Sequence, residues 1–233
     1  MDKQALRERV WDELEEHGDA RFPFPPHDRI PNFAGAADAA ARLAETPVWE
    51  RASVVKANPD APQLPVRRRA LRAGKTVYVA VPRLRDRDCF YRLDPATIED
   101  VDAATTVSGI GEAGDQVGPD DVASVDLVVS GSVAVSPTGA RIGKGEGYSD
   151  LEYAILSAVD AVDGETVTVT TVHERQVRTE DWVADSHDVP MEHILTPERT
   201  IETGADAVPT SIDWTRLDEE DRAAIPVLET LDR

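Results

Sequence analysis

Hydrophobic positions fall into short stretches along the chain, and the spacing within each predicts its structure. Leu6, Val10, Trp11 and Leu14 recur at helical intervals among charged residues, so residues 2–17 read as an amphipathic helix stopped by Gly18. Residues 22–33 hold four prolines together with Phe22, Phe24 and Phe33. No regular element accommodates that composition, and the aromatic side chains predict an ordered, packed loop. A second helix is expected over 34–44, ended by Pro47. A third starts near Pro62, carries Leu64, Val66, Ala70 and Leu71, and is capped by Gly74. The β-forming runs at 54–57 and 76–80 read as strands, the latter closed by Pro82.

Residues 94–121 are poor in large apolar groups and contain Gly109, Gly111, Gly114 and Gly118, which predicts mostly loop with a short strand at 105–107. Strands are expected again at 126–129 and 133–135. Residues 149–162 place Leu151, Ala154, Ile155, Ala158 and Val159 on one helical face, and the valine–threonine alternation over 167–172 predicts a strand. Strand runs alternating with helices indicate an α/β fold with a mainly parallel sheet flanked by helices. No repeat or clean linker divides the chain, so residues 1–233 are expected to form a single α/β domain. Trp214, Leu217, Ile225, Val227 and Leu228 give the acidic carboxyl-terminal extension, 203–233, apolar anchors for packing on that domain.

Charge narrows the function classes. The 233 residues include 45 acidic and 25 basic side chains, a formal net charge of -20. That balance opposes binding to nucleic acid or to an anionic membrane, both of which need a positive field. It fits a solvated acidic surface in a salt-rich cytoplasm, where ions screen self-repulsion, and so a halophilic source. No apolar run is long enough to span a membrane, and the charged first helix is unlike a signal peptide, so a soluble cytoplasmic protein is expected. The single cysteine, Cys89, excludes an internal disulfide and a multi-cysteine metal site, and its apolar neighbours predict a buried thiol.

The candidate chemistry is concentrated in residues 139–150. Gly143, Gly145 and Gly147 leave backbone amides uncovered just before the helix predicted from 149, an arrangement suited to an anion. Lys144, one of only four lysines in the chain, adds a mobile charge and Arg141 a planar one. Tyr148 offers stacking or a hydrogen bond, and Asp150 either caps the helix or holds magnesium beside a phosphate. The spacing is not that of the nucleotide-binding P-loop or a dinucleotide turn. The alternative is a glycine-rich helix-entry loop with no ligand. Lys56 and Asn58, at a strand end before Pro59, suit a planar acidic ligand or equally a helix-capping turn. His173 with Glu174 and His187 with Asp188 suit site chemistry or structural hydrogen bonds. The arginines at 67–69 and at 83, 85 and 87 suit a polyanion or surface ion pairs.

Residues 141–150, following the strand that starts at Asp126, resemble the signature of the 5-formyltetrahydrofolate cyclo-ligase family. Lys3, Arg7 and Arg9 of the first helix, residues 70–75 leading to Pro82, and His187-Asp188 before 194–196 resemble the same family, in order, over roughly residues 3–202. Residues 56–60, 62–63, 82–84, 171–173 and 187–190 look like its synthetase domain-containing branch. The resemblance implies a Rossmann-like three-layer scaffold, a monomer, ATP and Mg2+, a folate-like small molecule as substrate, and ATP-dependent closure of 5-formyltetrahydrofolate to 5,10-methenyltetrahydrofolate with release of ADP and phosphate. It assigns Lys144 and Arg141 to catalysis. Lys3, Arg7, Gly143, Gly145, Gly147 and Tyr148 join Lys144 around the nucleotide, and Asp150 is placed at the metal. Glu112 corresponds to the family's loop glutamate on the pterin side; Tyr148, and Lys56 and Asn58 by their strand-end position, are expected at the folate, and residues 56–60 stand where the family pattern has a folate-binding glutamate. Ser149 and Leu151 stand where the family pattern has tyrosine and arginine. They point to the alternative of a diverged relative that binds a nucleotide or folate-like metabolite without that activity, for example in thiamine or other cofactor metabolism. A structural or RNA-associated scaffold protein is the alternative from another class, and the acidic charge opposes its nucleic-acid form.

Overall fold

In the computed structural model, which describes residues 2–205, 208–209 and 211–231, the β-forming runs assemble into one eight-stranded sheet. Its strands are β1 (Val54–Ala57), β2 (Thr76–Ala80), β3 (Phe90–Leu93), β4 (Asp115–Val117), β5 (Leu127–Val129), β6 (Val167–Thr171), β7 (His193–Leu195) and β8 (Thr200–Glu202). Their spatial order is β8-β7-β6-β5-β1-β2-β3-β4. The five central strands, β7 to β2 in that order, are parallel, whereas β8, β3 and β4 pair antiparallel at the edges. The sheet is therefore mixed rather than mainly parallel. The reason is connection length: residues 81–89 and 196–199 hold no crossover helix, so β3 and β8 fold straight back on their predecessors.

Helices cover both faces of the sheet. The amino-terminal helix α1 (Lys3–Glu16) stands apart, while α2 (Ala36–Ala44) and α3 (Leu64–Arg72) pack on one face and α4 (Tyr148–Ala158) on the other. Strand alternation sorts the residues. Val55, Ala57, Val77, Val79, Leu127 and Val129 are buried beneath α2 and α3, and Tyr78, Ala80 and Val128 lie beneath α4 with Tyr153 and Ile155. Lys56 is in register with Val128 on one side and Tyr78 on the other, so period two carries a lysine onto the α4 face. Buried Ile212, Ile225, Val227 and Leu228 of the carboxyl-terminal segment join the same cluster.

Separately, α1 buries Leu6, Val10, Trp11 and Leu14 against Ala20, Ile30 and a small ribbon formed by Ala134–Val135 and Arg141–Ile142. This third cluster fixes the amino terminus beside the glycine-rich turn. No helix among the described residues is long and apolar enough to cross a membrane. Cys89 is buried as expected, and burial pushes its thiol up to about 12.

Two local expectations are corrected. Residues 105–107 do not form a strand: Val101–Ala104 and Val107–Ala113 are helices. Asp100 caps the first through Ala103 N–H at 3.0 Å, and Thr106 caps the second through Gly109 N–H at 3.0 Å. Of the glycines that suggested a loop, Gly109 serves packing instead. A Cβ at Gly109 would lie 2.0 Å from the Ala103 carbonyl oxygen, whereas one at Gly111 would touch the Tyr91 hydroxyl at an ordinary 3.4 Å. In the proline-rich segment Phe33 is buried, but Phe22 and Phe24 are 77% and 58% exposed, so only one of its three aromatics anchors the loop.

The contrast between the two glycines is measurable. Gly109→Ala should destabilise the protein by about 1–3 kcal/mol through overpacking on backbone. Gly111→Ala should be neutral or stabilise by up to about 1 kcal/mol through helix propensity. Urea unfolding of both variants checks this, and the reverse ranking would refute the packing account.

Candidate functional site

From β1 the chain proceeds to β2 on one side, and from β5 it proceeds through β6 and β7 on the other. Ligands of open α/β sheets gather at such a reversal, beyond the carboxyl ends of the strands. Asn58 follows β1, and Ser130 and Gly131 follow β5. Asn58 links the two ends: its Oδ1 accepts the Gly131 N–H at 2.8 Å and its own N–H donates to the Val129 carbonyl at 3.2 Å.

The side chain of Asn58 is oriented from α4. Its Nδ2 donates to Glu152 Oε2 at 3.1 Å, and Ser149 Oγ, one helical turn earlier, donates to Asn58 Oδ1 at 3.3 Å. Lys56 Nζ donates to the same Glu152 oxygen, and both partners are buried. The register that places Lys56 under α4 thus finds its counter-charge there. Lys56 is 1% exposed and does not line the cleft above. Its sequence-predicted contact with substrate gives way, in this geometry, to support of Asn58 from beneath. Below the strand ends, Arg67 donates to the Asn58 carbonyl at 2.5 Å and to the Thr105 carbonyl at 3.0 Å. That use of Arg67 is structural.

The cleft is walled by Asn58, Asp60, Arg83, Lys144, Tyr148 and Glu152, with Ile30, Ala80 and Val81 as apolar lining. At its glycine-rich edge, Gly145 and Gly147 have φ of 110° and 74°, conformations that side chains resist. Gly147 is the N-cap of α4, which leaves the first amides of that helix without intrahelical partners. Lys144 pairs with Glu146 at 2.7 Å and is only partly exposed. Arg141 is buried; it donates to the Gly131 carbonyl at 2.9 Å and to Asp150 Oδ1 at 2.5 Å. The same Asp150 oxygen accepts the Val189 N–H at 3.0 Å. Arg141 and Asp150 therefore brace the turn as a pair.

Other predicted residues sort by distance from this edge. Arg7 donates from Nε to the Gly143 carbonyl at 2.8 Å, so α1 is tied directly to the turn. Lys3 reaches Asp185 at 2.8 Å and Asp188 at 2.7 Å. Glu112 is exposed on the helix packed against β3 and does not line the cleft. His173 accepts the Arg175 N–H at 3.3 Å and caps a short turn, and Glu174 pairs with Arg199 at 2.9 Å, which makes both structural. His187 sits with Asp185 and Asp188 in a cluster of metal-ligand type, already held by Lys3 and Arg216. A second cleft opens on the other side of the turn. Glu146, Gly147 and Tyr148 border it, and Leu217 and Ile225 of the carboxyl-terminal segment close it.

Sequence reasoning did not assign Asp60 or Gln63 to the site. Burial raises the Asp60 carboxyl above its ordinary value, opposed by the charge of Lys144. Gln63 is fully buried behind Gly131, and neither amide atom has a hydrogen-bond partner. The one available signal was their place in residues 56–63, directly after a strand end.

The family profile described as the 5-formyltetrahydrofolate cyclo-ligase family matches residues 1–197. The chain is 45% identical to a mouse methenyltetrahydrofolate synthase domain-containing protein, an alignment covering 99% of this chain and 63% of the relative. The human protein of the same description is 41% identical, covering 99% and 61%. The chain thus spans less than two thirds of the length of these relatives. Among solved structures, an Aquifex aeolicus 5,10-methenyltetrahydrofolate synthetase superposes with TM-score 0.56 at 20% identity, covering 92% of this chain and 99% of that one. A Mycoplasma pneumoniae 5,10-methenyltetrahydrofolate synthetase gives 0.50 at 13%, covering 84% and 98%. Both likenesses establish the fold.

Two outcomes follow from the ion pair and from Asp60. Lys56→Met should cost about 3–5 kcal/mol in urea unfolding because it strands Glu152, while adding Glu152→Gln, which removes the charge and keeps an acceptor for Asn58 Nδ2, should restore much of that loss. A double variant no more stable than the single would contradict the pairing. For Asp60, the raised folded value means the folded state binds the proton more readily, so its penalty is complete above that value and absent below the unfolded carboxylate range. Asp60→Asn should therefore stabilise the protein at about pH 8, with the gain shrinking as pH falls toward about 4. A gain that grows on acidification would exclude burial as the cause.

Proposed function

Because the chain belongs to the 5-formyltetrahydrofolate cyclo-ligase family, we propose that it closes 5-formyltetrahydrofolate to 5,10-methenyltetrahydrofolate, consuming ATP and releasing ADP and phosphate. The observation that carries this reading is the glycine-rich turn at the start of α4, with Lys144 at its centre, facing a cleft at the sheet's reversal point. The formyl oxygen attacks the γ-phosphorus and ADP leaves. The neighbouring ring-closing nitrogen then bonds to the formyl carbon, gives up its proton, and phosphate departs. Such a sequence needs positioning and charge neutralisation more than a protein nucleophile.

The turn's amides and Lys144 hold the phosphates, after Lys144 releases Glu146. Arg7 and Arg141 keep the turn in shape through the Gly143 and Gly131 carbonyls. Asp60, half-buried at the cleft wall, is suited to accept the nitrogen's proton because a raised carboxylate is the stronger base once ionised. The orphan Gln63 amide offers a donor and an acceptor behind the cleft floor, which suits a ring amide reached directly or through water. The cleft on the other side of the turn is the space left for the nucleotide base.

Asp150 fits magnesium in a limited way: Oδ1 is committed to Arg141 and Val189, so one carboxylate oxygen is left for an ion that takes its other ligands from phosphates and water. Bound there, magnesium supplies neutralisation of the phosphate charge.

A binding role without ring closure is the second reading. It is favoured by the two ion pairs of the turn, Lys144–Glu146 and Arg141–Asp150, which hold both cations against carboxylates. The same assay separates the two. With ATP, magnesium and 5-formyltetrahydrofolate in concentrated salt, methenyl product should appear, and Lys144→Ala should lower kcat/KM by about 100-fold or more. A protein that binds ATP yet forms no methenyl product would leave only the binding role.

A further inference from the structure

Three cations line the main cleft, and two are taken. Lys144 closes on Glu146 at 2.7 Å, and Arg141 is buried between the Gly131 carbonyl and Asp150. The third, Arg83, is exposed and has no hydrogen bond or ion pair among the described residues. In a chain with 45 acidic side chains, a cleft guanidinium without a carboxylate partner stands out.

The backbone holds it there against local preference. Arg83 has φ 60° and ψ 18°, and Leu84 has φ 52°, two successive left-handed residues with neither a glycine. Such conformations persist where surrounding packing imposes them, and they concentrate at ligand sites. Here the packing comes from Leu84, which is 0% exposed and buried in the cluster that includes Cys89, Phe90 and Tyr153. Val81 clamps the turn from both sides, donating its N–H to the Cys89 carbonyl at 2.8 Å and accepting the Leu84 N–H at 2.9 Å. A buried leucine thus anchors a strained turn whose other product is an arginine at the cleft wall.

We propose that Arg83 binds a carboxylate of the folate substrate's glutamyl tail, and so selects the acid-tailed form of that substrate; this rests on the cyclo-ligase reading. The phosphates have their own amides and lysine on the α4 edge of the cleft. Arg83 belongs to the wall that continues from β2, next to Ala80, Val81 and Pro82, an apolar stretch suited to the flat body of the substrate. A planar guanidinium matches a carboxylate with two parallel hydrogen bonds, a geometry that lysine does not reproduce.

Calorimetric binding of three probes to the intact protein tests this: 5-formyltetrahydrofolate, the matching pteroate that lacks glutamate, and ATP. Arg83→Ala should weaken the folate about tenfold, equivalent to about 1.4 kcal/mol, and leave the pteroate and ATP unchanged. Arg83→Lys should recover only part of the folate affinity. Equal losses for folate and pteroate, a loss for ATP alone, or no loss for any probe would each overturn the assignment. Turnover separates this from the reading on which it rests. Methenyl product formed by a protein whose folate affinity ignores Arg83 defeats the Arg83 assignment alone. Arg83-dependent folate binding without methenyl product defeats ring closure alone and leaves the carboxylate subsite standing.

Discussion

The site depends on one buried ion pair. Lys56 and Glu152 neutralise each other between the central strand β1 and the helix α4, and the same Glu152 oxygen orients Asn58. Asn58 in turn joins the ends of β1 and β5, where the sheet's connectivity reverses. Desolvating two charges is costly, and their mutual attraction offsets that cost only with good geometry and further hydrogen bonds. Asn58 supplies one of those bonds. The pair therefore restricts how α4 can seat on the sheet, and the start of α4 carries the glycine-rich turn.

A second constraint ties the turn to its surroundings. Arg7 reaches it from α1, and Arg141 holds Gly131 and Asp150 together from within. The cations around this site are largely occupied in structure: Lys56, Arg67 and Arg141 are all buried. Lys144 and Arg83 are the accessible ones in the cleft. In an acidic chain the positive charge available to a ligand is set by which cations the fold leaves free, and net charge says little about it.

Much of the fold was legible because apolar periodicity survives burial. The strands at 54–57, 76–80, 126–129 and 167–172, the helix at the amino terminus and the helix after Gly147 all lie close to where their patterns placed them. The sheet's antiparallel edges were not legible, since strand direction depends on connection length and on partners distant in sequence. Residues 101–113 read as loop because large apolar groups are scarce there and glycines frequent, and only the folded structure shows the Ala103 carbonyl that leaves no room for a larger residue at Gly109.

By itself the sequence determined the local chemistry: a run of glycines around a scarce lysine before a helix, and a resemblance to one family that the comparisons establish. Tertiary structure decided what each charged group does. Lys56 and Glu152 are 96 residues apart, and nothing local to either announces the other. Period two turns Lys56 toward the α4 face, but its partner exists only once that helix packs. Glu112 and Arg83 make the complementary case. The first is left outside the cleft by the helix it rides on, and the second is brought to it by a strained turn anchored on Leu84. The physical reason is common to all four: the role of a charge depends on its distance to other charges and to water, and both are set by packing among segments far apart in the chain.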